Sequence, residues 1–251
     1  MIKKILAPFF APTLNNLFSR GDLSGIVVIV TGASRGIGEA TSRLLLEEGA
    51  SVVLVSRTMK DLESKFPEAS SESTLKIEGD VTREDDVARI VRTAHEKFGK
   101  IDVLINNAGV FLEKPIDQTT SAEFDQIIGT NIKGAVFMST AIVPHMKKNG
   151  GGLIINIGSK ISHNTNVLPN KTLYALTKHA IEGFSQALRS ELRPFSIRVT
   201  CLMHGTVSTF PSRQRGNYLS PYHVAQVISM LIKFSDIDFE DFVIKSKHQD
   251  I

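Results

Sequence analysis

Tyr174 and Lys178 stand four residues apart in a stretch, Asn170 to Arg193, whose apolar residues recur at helical spacing. Both side chains therefore leave one helix face, about one turn apart. A phenol with an ordinary pKa near ~10 is a weak base at neutral pH, and an adjacent ammonium lowers that value by favouring the phenolate. Such a pair can pass a proton to or from an oxygen, although a solvated helix surface carries the same two residues often enough that the pair alone decides nothing. Ser159, just beyond the apolar run Leu153–Ile157, and Ser162 three residues later are rival hydroxyls for holding a reacting oxygen.

A second group of residues suits a phosphate. Thr31-Gly32-Ala33-Ser34-Arg35-Gly36-Ile37-Gly38 follows one apolar run and opens a helical stretch. Gly32 and Gly36 permit a tight turn, Gly38 permits close packing of helix on strand, and the free N–H groups at the helix start attract a pyrophosphate. The second apolar run ends in Ser56-Arg57. A carboxylate there would hold both adenosine ribose hydroxyls of NAD; a serine hydroxyl and a guanidinium, joined by Arg35, suit the 2′-phosphate of NADP(H). NADP(H) is the expected cofactor, against the alternative that both arginines are ordinary surface charges.

These groups need a scaffold, and the chain supplies one in alternating apolar and helical stretches. Expected strands are Ile26–Thr31, Ser51–Ser56, Thr74–Gly79, Asp102–Asn106, Leu153–Ile157, Ile197–Met203 and Phe239–Lys245. Expected helices are Ile37–Glu48, Arg83–Lys97, Ala122–Lys148, Asn170–Arg193 and Pro221–Ile232, with Pro194 ending the fourth. Near-continuous Val, Ile and Leu in the strands predict a sheet covered on both faces. The fold class is α/β, a single doubly wound Rossmann-like domain with a central parallel sheet of about seven strands. Residues 1–24 read as an N-terminal arm and 25–251 as the dinucleotide-binding catalytic domain; Pro8 and Pro12 interrupt the arm's apolar run, which is too short to span a bilayer.

The turn spacing TGxxxGIG resembles that of the short-chain dehydrogenase/reductase family, and the likeness runs over nearly the whole chain from Leu23. Asn106-Asn107-Ala108-Gly109 is similar to its NNAG segment, Asp80-Val81 to its adenine-contacting pair, and Asn131-Ile132-Lys133-Gly134 to its NxxG motif. The resemblance implies a catalytic tetrad of Asn131, Ser159, Tyr174 and Lys178. Tyr174 would exchange a proton with substrate oxygen, Lys178 would hold the nicotinamide ribose, and Asn131 a water leading to solvent. Ile155-Asn156-Ile157-Gly158-Ser159 resembles the strand-end motif and favours Ser159 over Ser162, although the interval to Tyr174 is longer than usual. Implied cofactor contacts are Gly32, Ser34, Arg35, Gly36, Ile37, Gly38, Ser56, Arg57, Asp80, Val81, Asn107, Ala108, Gly109, Tyr174, Lys178, Gly205, Val207 and Thr209. His204-Gly205 stands where the family has Pro-Gly, and a lone histidine is more often packing than chemistry.

The chain has 251 residues, 42% hydrophobic and 22% charged, with a formal net charge of +3 and its basic residues dispersed. Dispersed charge argues against nucleic acid as a partner. Cys201 is the single cysteine, so no intrachain disulfide forms and a reducing, cytoplasmic location fits. No histidine pair has metal-ligand spacing, and no metal is expected. The expected activity is reduction of small aldehydes, ketones or keto acids, or the reverse oxidation of an alcohol. Alternatives are a 3-oxoacyl-carrier-protein reductase and a non-catalytic NADP(H)-sensing protein. A small lid, residues 210–220, implies an open or shallow pocket, where Lys160, Arg213 and Arg215 offer positive charge. The resemblance implies at least a homodimer through Ala122–Lys148 and Asn170–Arg193, with Phe137, Ile181, Phe184 and Leu188 as apolar contacts; the missing glycine-rich tail puts a homotetramer in doubt.

Overall fold

The computed structural model describes residues 22–163, 169–208 and 218–246. Seven strands form one parallel sheet: β1 (Val27–Thr31), β2 (Ser51–Ser56), β3 (Thr74–Glu78), β4 (Val103–Asn106), β5 (Gly152–Ile157), β6 (Ile197–His204) and β7 (Asp241–Ile244). The order β3-β2-β1-β4-β5-β6-β7 reverses direction between β1 and β4. Such a reversal opens a crevice at the strands' carboxyl ends, where ligands bind in open α/β sheets.

Alternate strand residues serve opposite faces. Val28, Val30, Val52, Leu54 and Ile105 pack into one core, with Val224 and Ile228 above them. Ile29, Val53, Val55, Leu104 and Ile154 face the other core, with Ile90, Met138 and Ile142. Helices α1 (Gly36–Glu47) and α7 (Pro221–Lys233) cover the first face; α3 (Glu84–Phe98) and α5 (Gly134–Lys148) cover the second. Burial of both strand faces is the physical reason for the near-continuous apolar runs.

Several boundaries differ from the sequence expectation. The chain makes a short helix, α2 (Met59–Lys65), that burial did not announce, because Leu62 is its one buried residue. The expected helix Ala122–Lys148 is three pieces: α4 (Ser121–Ile128), a π-helical turn (Gly129–Lys133) and α5. Helix α6 begins at Thr172, two residues later than expected, and ends at Leu192 just ahead of Pro194, where a 3₁₀ turn, Arg193–Phe195, follows. Of the expected arm, residues 1–21 lie outside the described residues, whereas Leu23 is buried and its N–H donates to the Glu48 carbonyl at 2.7 Å.

The stretch Ser121–Lys148 has the length and hydropathy of a bilayer span. Met138, Ile142 and Met146 nevertheless sit fully buried against the sheet, which is how the core helix of a globular domain passes the same test.

One buried ion pair ties the first face together. Glu48, at the end of α1, accepts from Lys233 Nζ at 2.7 Å and from the Ser229 hydroxyl, both on α7. Its side chain is 5% exposed. Removing the cation alone leaves a buried carboxylate poorly compensated, so Lys233→Met is expected to cost about 3 kcal/mol in urea unfolding. The double variant Glu48→Gln, Lys233→Met should recover more than half of that loss.

Candidate functional site

The glycine turn forms as its spacing requires. Gly32 and Gly36 take positive φ, +66° and +57°. A Cβ on Gly38 would stand 2.2 Å from the Gly32 carbonyl oxygen and 2.5 Å from Asn107 Nδ2, so only glycine fits there. Arg35 precedes α1 in extended conformation without a side-chain cap, which leaves first-turn N–H groups to meet an anion.

Asn107 fastens this turn across the switch point. Its Nδ2 donates to the carbonyls of Thr31 at 2.8 Å and Gly32 at 3.1 Å. The Thr31 hydroxyl accepts from the N–H groups of Asn107 and Ala108, each at 3.0 Å, and donates to the Ile105 carbonyl at 3.2 Å. Thr31 was absent from the expected contacts, although it leads the TGxxxGIG segment. The Ser56 hydroxyl meets that of Ser34 at 3.1 Å, joining the end of β2 to the turn. Arg35 and Arg57 line a cavity of about 260 Å³ together with Val110, Phe111 and the α4 residues Glu123 and Ile127. Glu123 is held by Lys114 Nζ, 2.9 Å from both carboxylate oxygens, so its charge has a partner of its own.

The expected tetrad comes together around the start of α6. Ser159 is buried, its Oγ accepts from the Ile161 N–H at 3.3 Å, and it lies close enough to Tyr174 to favour ionisation of the phenol. Ser162 instead donates to the Ser159 carbonyl at 2.9 Å and lies 3.5 Å from Met203 Sδ. Lys178 Nζ lies 5.6 Å from the Tyr174 ring centroid and donates to the Ile157 carbonyl at 2.7 Å. Asn131 sits in the π-helical turn, not in regular helix. Its Nδ2 donates to Val110 O at 3.0 Å and Thr177 Oγ1 at 3.1 Å, while its Oδ1 accepts from Val110 N at 2.8 Å. Both amide hydrogens are thus in use, and a water at this side chain could only donate to its oxygen. Thr177 and Val110 carry no sequence signal for this role, since they act only as partners of Asn131.

The electrostatics depart from the simple pairing expected of Tyr174 and Lys178. Burial raises the Tyr174 phenol above its ordinary value, and the nearby Ser159 hydroxyl works against that rise. The phenol is therefore protonated at neutral pH. Burial holds Lys178 down to about 8, with a small opposing contribution from Cys201. His204 is pushed down to about 4 by burial, against the Gly205 hydrogen bond and with help from the Lys178 charge. Its Nδ1 lies 2.7 Å from the Gly205 carbonyl, which can only accept, so the neutral ring carries its proton on Nδ1.

The remaining expected contacts are less gathered. The Asp80 carboxylate accepts from Thr82 N at 2.9 Å within its own turn, and Val81 packs at Gly134. Gly109 lies beside Asn131, where an added Cβ would be 3.4 Å from its Oδ1. Gly205 N donates to Ile244 O, and Val207 bridges to Leu219 beyond β6. Thr209, Arg213 and Arg215 lie outside the described residues. Among the described residues, no three His, Cys, Asp or Glu side chains gather as a metal site.

A family model described as short chain dehydrogenase matches residues 26–217. An uncharacterised oxidoreductase of Staphylococcus saprophyticus is 40% identical over 185 residues, 73% of this chain and 74% of that protein. Among solved structures, a 3-ketoacyl-(acyl-carrier-protein) reductase from Brucella melitensis complexed with NADH has a TM-score of 0.82 at 31% identity, covering 91% of this chain and 100% of that one. An alcohol dehydrogenase from Thermococcus sibiricus, complexed with 5-hydroxy-NADP, has a TM-score of 0.82 at 28% identity, covering 90% and 98%.

The depressed Lys178 has a consequence for stability. Between about 8 and the ordinary lysine value of 10.5, the unfolded chain binds more protons than the folded one. Unfolding free energy must then rise with pH through that window, and the cost of the buried charge is complete below it. Compared with Lys178→Met in chemical denaturation, the wild type should gain about 3 kcal/mol between pH ~7 and ~10.5. A flat difference would contradict the buried ammonium.

Proposed function

The chain belongs to the short-chain dehydrogenase family, and from that premise we propose that it is an NADP(H)-dependent oxidoreductase interconverting a carbonyl and an alcohol, working mainly as a reductase of aldehydes, ketones or keto acids. The observation that carries the reading is the partly buried Tyr174 phenol, kept in its acid form by desolvation and set close to the Ser159 hydroxyl, one helical turn from the buried Lys178. A phenol in its acid form is prepared to give a proton to an oxygen that gains charge.

The residues fit the dinucleotide. The positive-φ glycines and uncapped start of α1 make a pyrophosphate cradle, while Ser34, Ser56, Arg35 and Arg57 surround the place suited to a 2′-phosphate. When bound, reduced nicotinamide supplies hydride to the substrate carbon. Ser159 donates a hydrogen bond to the carbonyl oxygen, and Tyr174 delivers the proton there. Lys178, whose ammonium has donors beyond the one given to the Ile157 carbonyl, would hold the ribose hydroxyls and offset negative charge on the phenolate that remains. Asn131 holds the Val110 backbone against α6, which keeps Tyr174 and the loop after β4 at a fixed separation. The remaining contacts from the glycine turn to Thr209 belong to this reading.

Reduction of a 3-oxoacyl thioester is the second reading, favoured by the likeness to the Brucella melitensis reductase. A homodimer formed through α4, α5 and α6 accompanies the proposal, with Phe124 and Leu176 exposed on those helices. The lone buried Cys201, whose thiol burial pushes up to about 11, suits a cytoplasmic setting.

NADPH oxidation across a carbonyl panel tests the proposal directly. Tyr174→Phe should lower kcat about 10³-fold while NADPH affinity stays within about twofold. Turnover persisting in that variant removes the phenol from the reaction. Replacing Arg35 and Arg57 together by alanine should weaken NADPH binding about tenfold or more and leave NADH nearly unchanged, read by calorimetry. Equal losses for both cofactors would overturn the NADP(H) preference.

A further inference from the structure

Phe111 is an apolar ring in an unexpected place. It follows β4 by a few residues, is 57% exposed, and its ring meets that of Tyr174 at a centroid distance of 4.9 Å and an interplanar angle of 74°. An exposed phenylalanine on a loop would ordinarily be of no interest. This one is fixed from several directions. Lys171 Nζ lies 5.8 Å from its ring centroid, and the N–H of Lys114 donates to the Asn170 carbonyl at 2.7 Å. Lys114 Nζ also binds Glu123, tying the loop to α4. Val110, its neighbour, is clamped on both backbone groups by Asn131.

Two rings at nearly a right angle, with one edge against the other's face, make an apolar corner beside the proposed proton donor. A planar group can stack on one ring and meet the other in the edge-to-face arrangement that aromatic pairs favour. A flexible alkyl chain gains contact there but no such geometric preference. Because the corner is held before any ligand arrives, a planar ligand pays little for ordering it.

We propose that Phe111 is a specificity-determining residue and that the preferred substrates are carbonyl compounds bearing an aryl group, which packs into the Phe111–Tyr174 corner. The proposal rests on the oxidoreductase reading for its chemistry and deepens it by naming the substrate class. Phe111 touches the substrate's substituent and has no part in proton or hydride transfer.

The test uses the full chain with NADPH, comparing benzaldehyde and acetophenone with acetaldehyde, pyruvate and a 3-oxobutanoyl thioester. With NADPH saturating for each variant, because Phe111 also lines the cavity of Arg35 and Arg57, the expected result is a preference for the aryl compounds and, in Phe111→Ala, a loss in kcat/KM through KM that is about tenfold larger for them than for the others. Phe111→Leu, which keeps an apolar side chain without the ring, should lose most of the same preference. A wild-type preference for the thioester, or equal losses on all substrates, would overturn the proposal while leaving the oxidoreductase reading intact. Saturation-transfer NMR of benzaldehyde with NADP⁺ present separates the two failures. Aryl binding that Phe111→Ala abolishes supports the corner even if no carbonyl is reduced; no aryl binding, or binding unchanged in the variant, overturns it.

Discussion

The arrangement turns on the Asn107 side chain, whose amide crosses from the end of β4 to the carbonyls of Thr31 and Gly32. At the point where the strand order reverses, no helix crossover holds the two loops at a set distance, and backbone polar groups at the sheet's edge need partners. Asn107 and the Thr31 hydroxyl supply them. Gly38 can approach the Gly32 carbonyl only because it lacks a Cβ, so the glycine turn, α1 and the loop after β4 form one rigid joint. The phosphate cradle is on one side of that joint and the segment leading to Val110 and Phe111 on the other.

From there the hydrogen bonds continue into the helices. Asn131 clamps Val110 and reaches Thr177 on α6, the helix that also carries Tyr174 and Lys178. Deeper in the sheet, Asn106 Nδ2 donates to Asn156 Oδ1 at 2.9 Å, and Asn156 Nδ2 to Ser185 Oγ at 2.9 Å, linking β4, β5 and α6 beneath the site. Buried polar groups impose one arrangement on otherwise adaptable apolar packing, because misaligned partners are costly. Position is thereby transmitted from β1 to Tyr174 through directional contacts.

The parallel sheet was legible because burial on both faces confines polar residues to the strand ends, leaving Val27–Val30 and Val52–Val55 wholly apolar. The glycine turn was legible because Gly32, Gly36 and Gly38 each answer a steric demand visible in spacing. Helix α2 was not, since a short surface helix with Leu62 alone buried leaves hardly any apolar period. The raised phenol of Tyr174 was also hidden: four-residue spacing reveals the neighbouring ammonium, but the desolvation that raises the phenol depends on everything packed around the ring. Phe111 escaped notice for a related reason, as a loop residue's meaning lies in which distant side chain it meets.

The π-helical turn at Gly129–Lys133 carries a constraint of its own. It accommodates a surplus residue in what would otherwise be one uninterrupted α-helix, and each residue advances an α-helix by about 100°. Removing that surplus residue would let the backbone close into regular α geometry with α4 and α5 still in phase, but would take away the turn that presents Asn131 to Val110 and Thr177. A residue lost from regular helix at the start of α5 would instead turn the rest of it by about 100° and carry Met138, Ile142 and Met146 off the sheet. The segment between the Thr120 cap and Gly150 should accordingly tolerate substitution far better than any change of length.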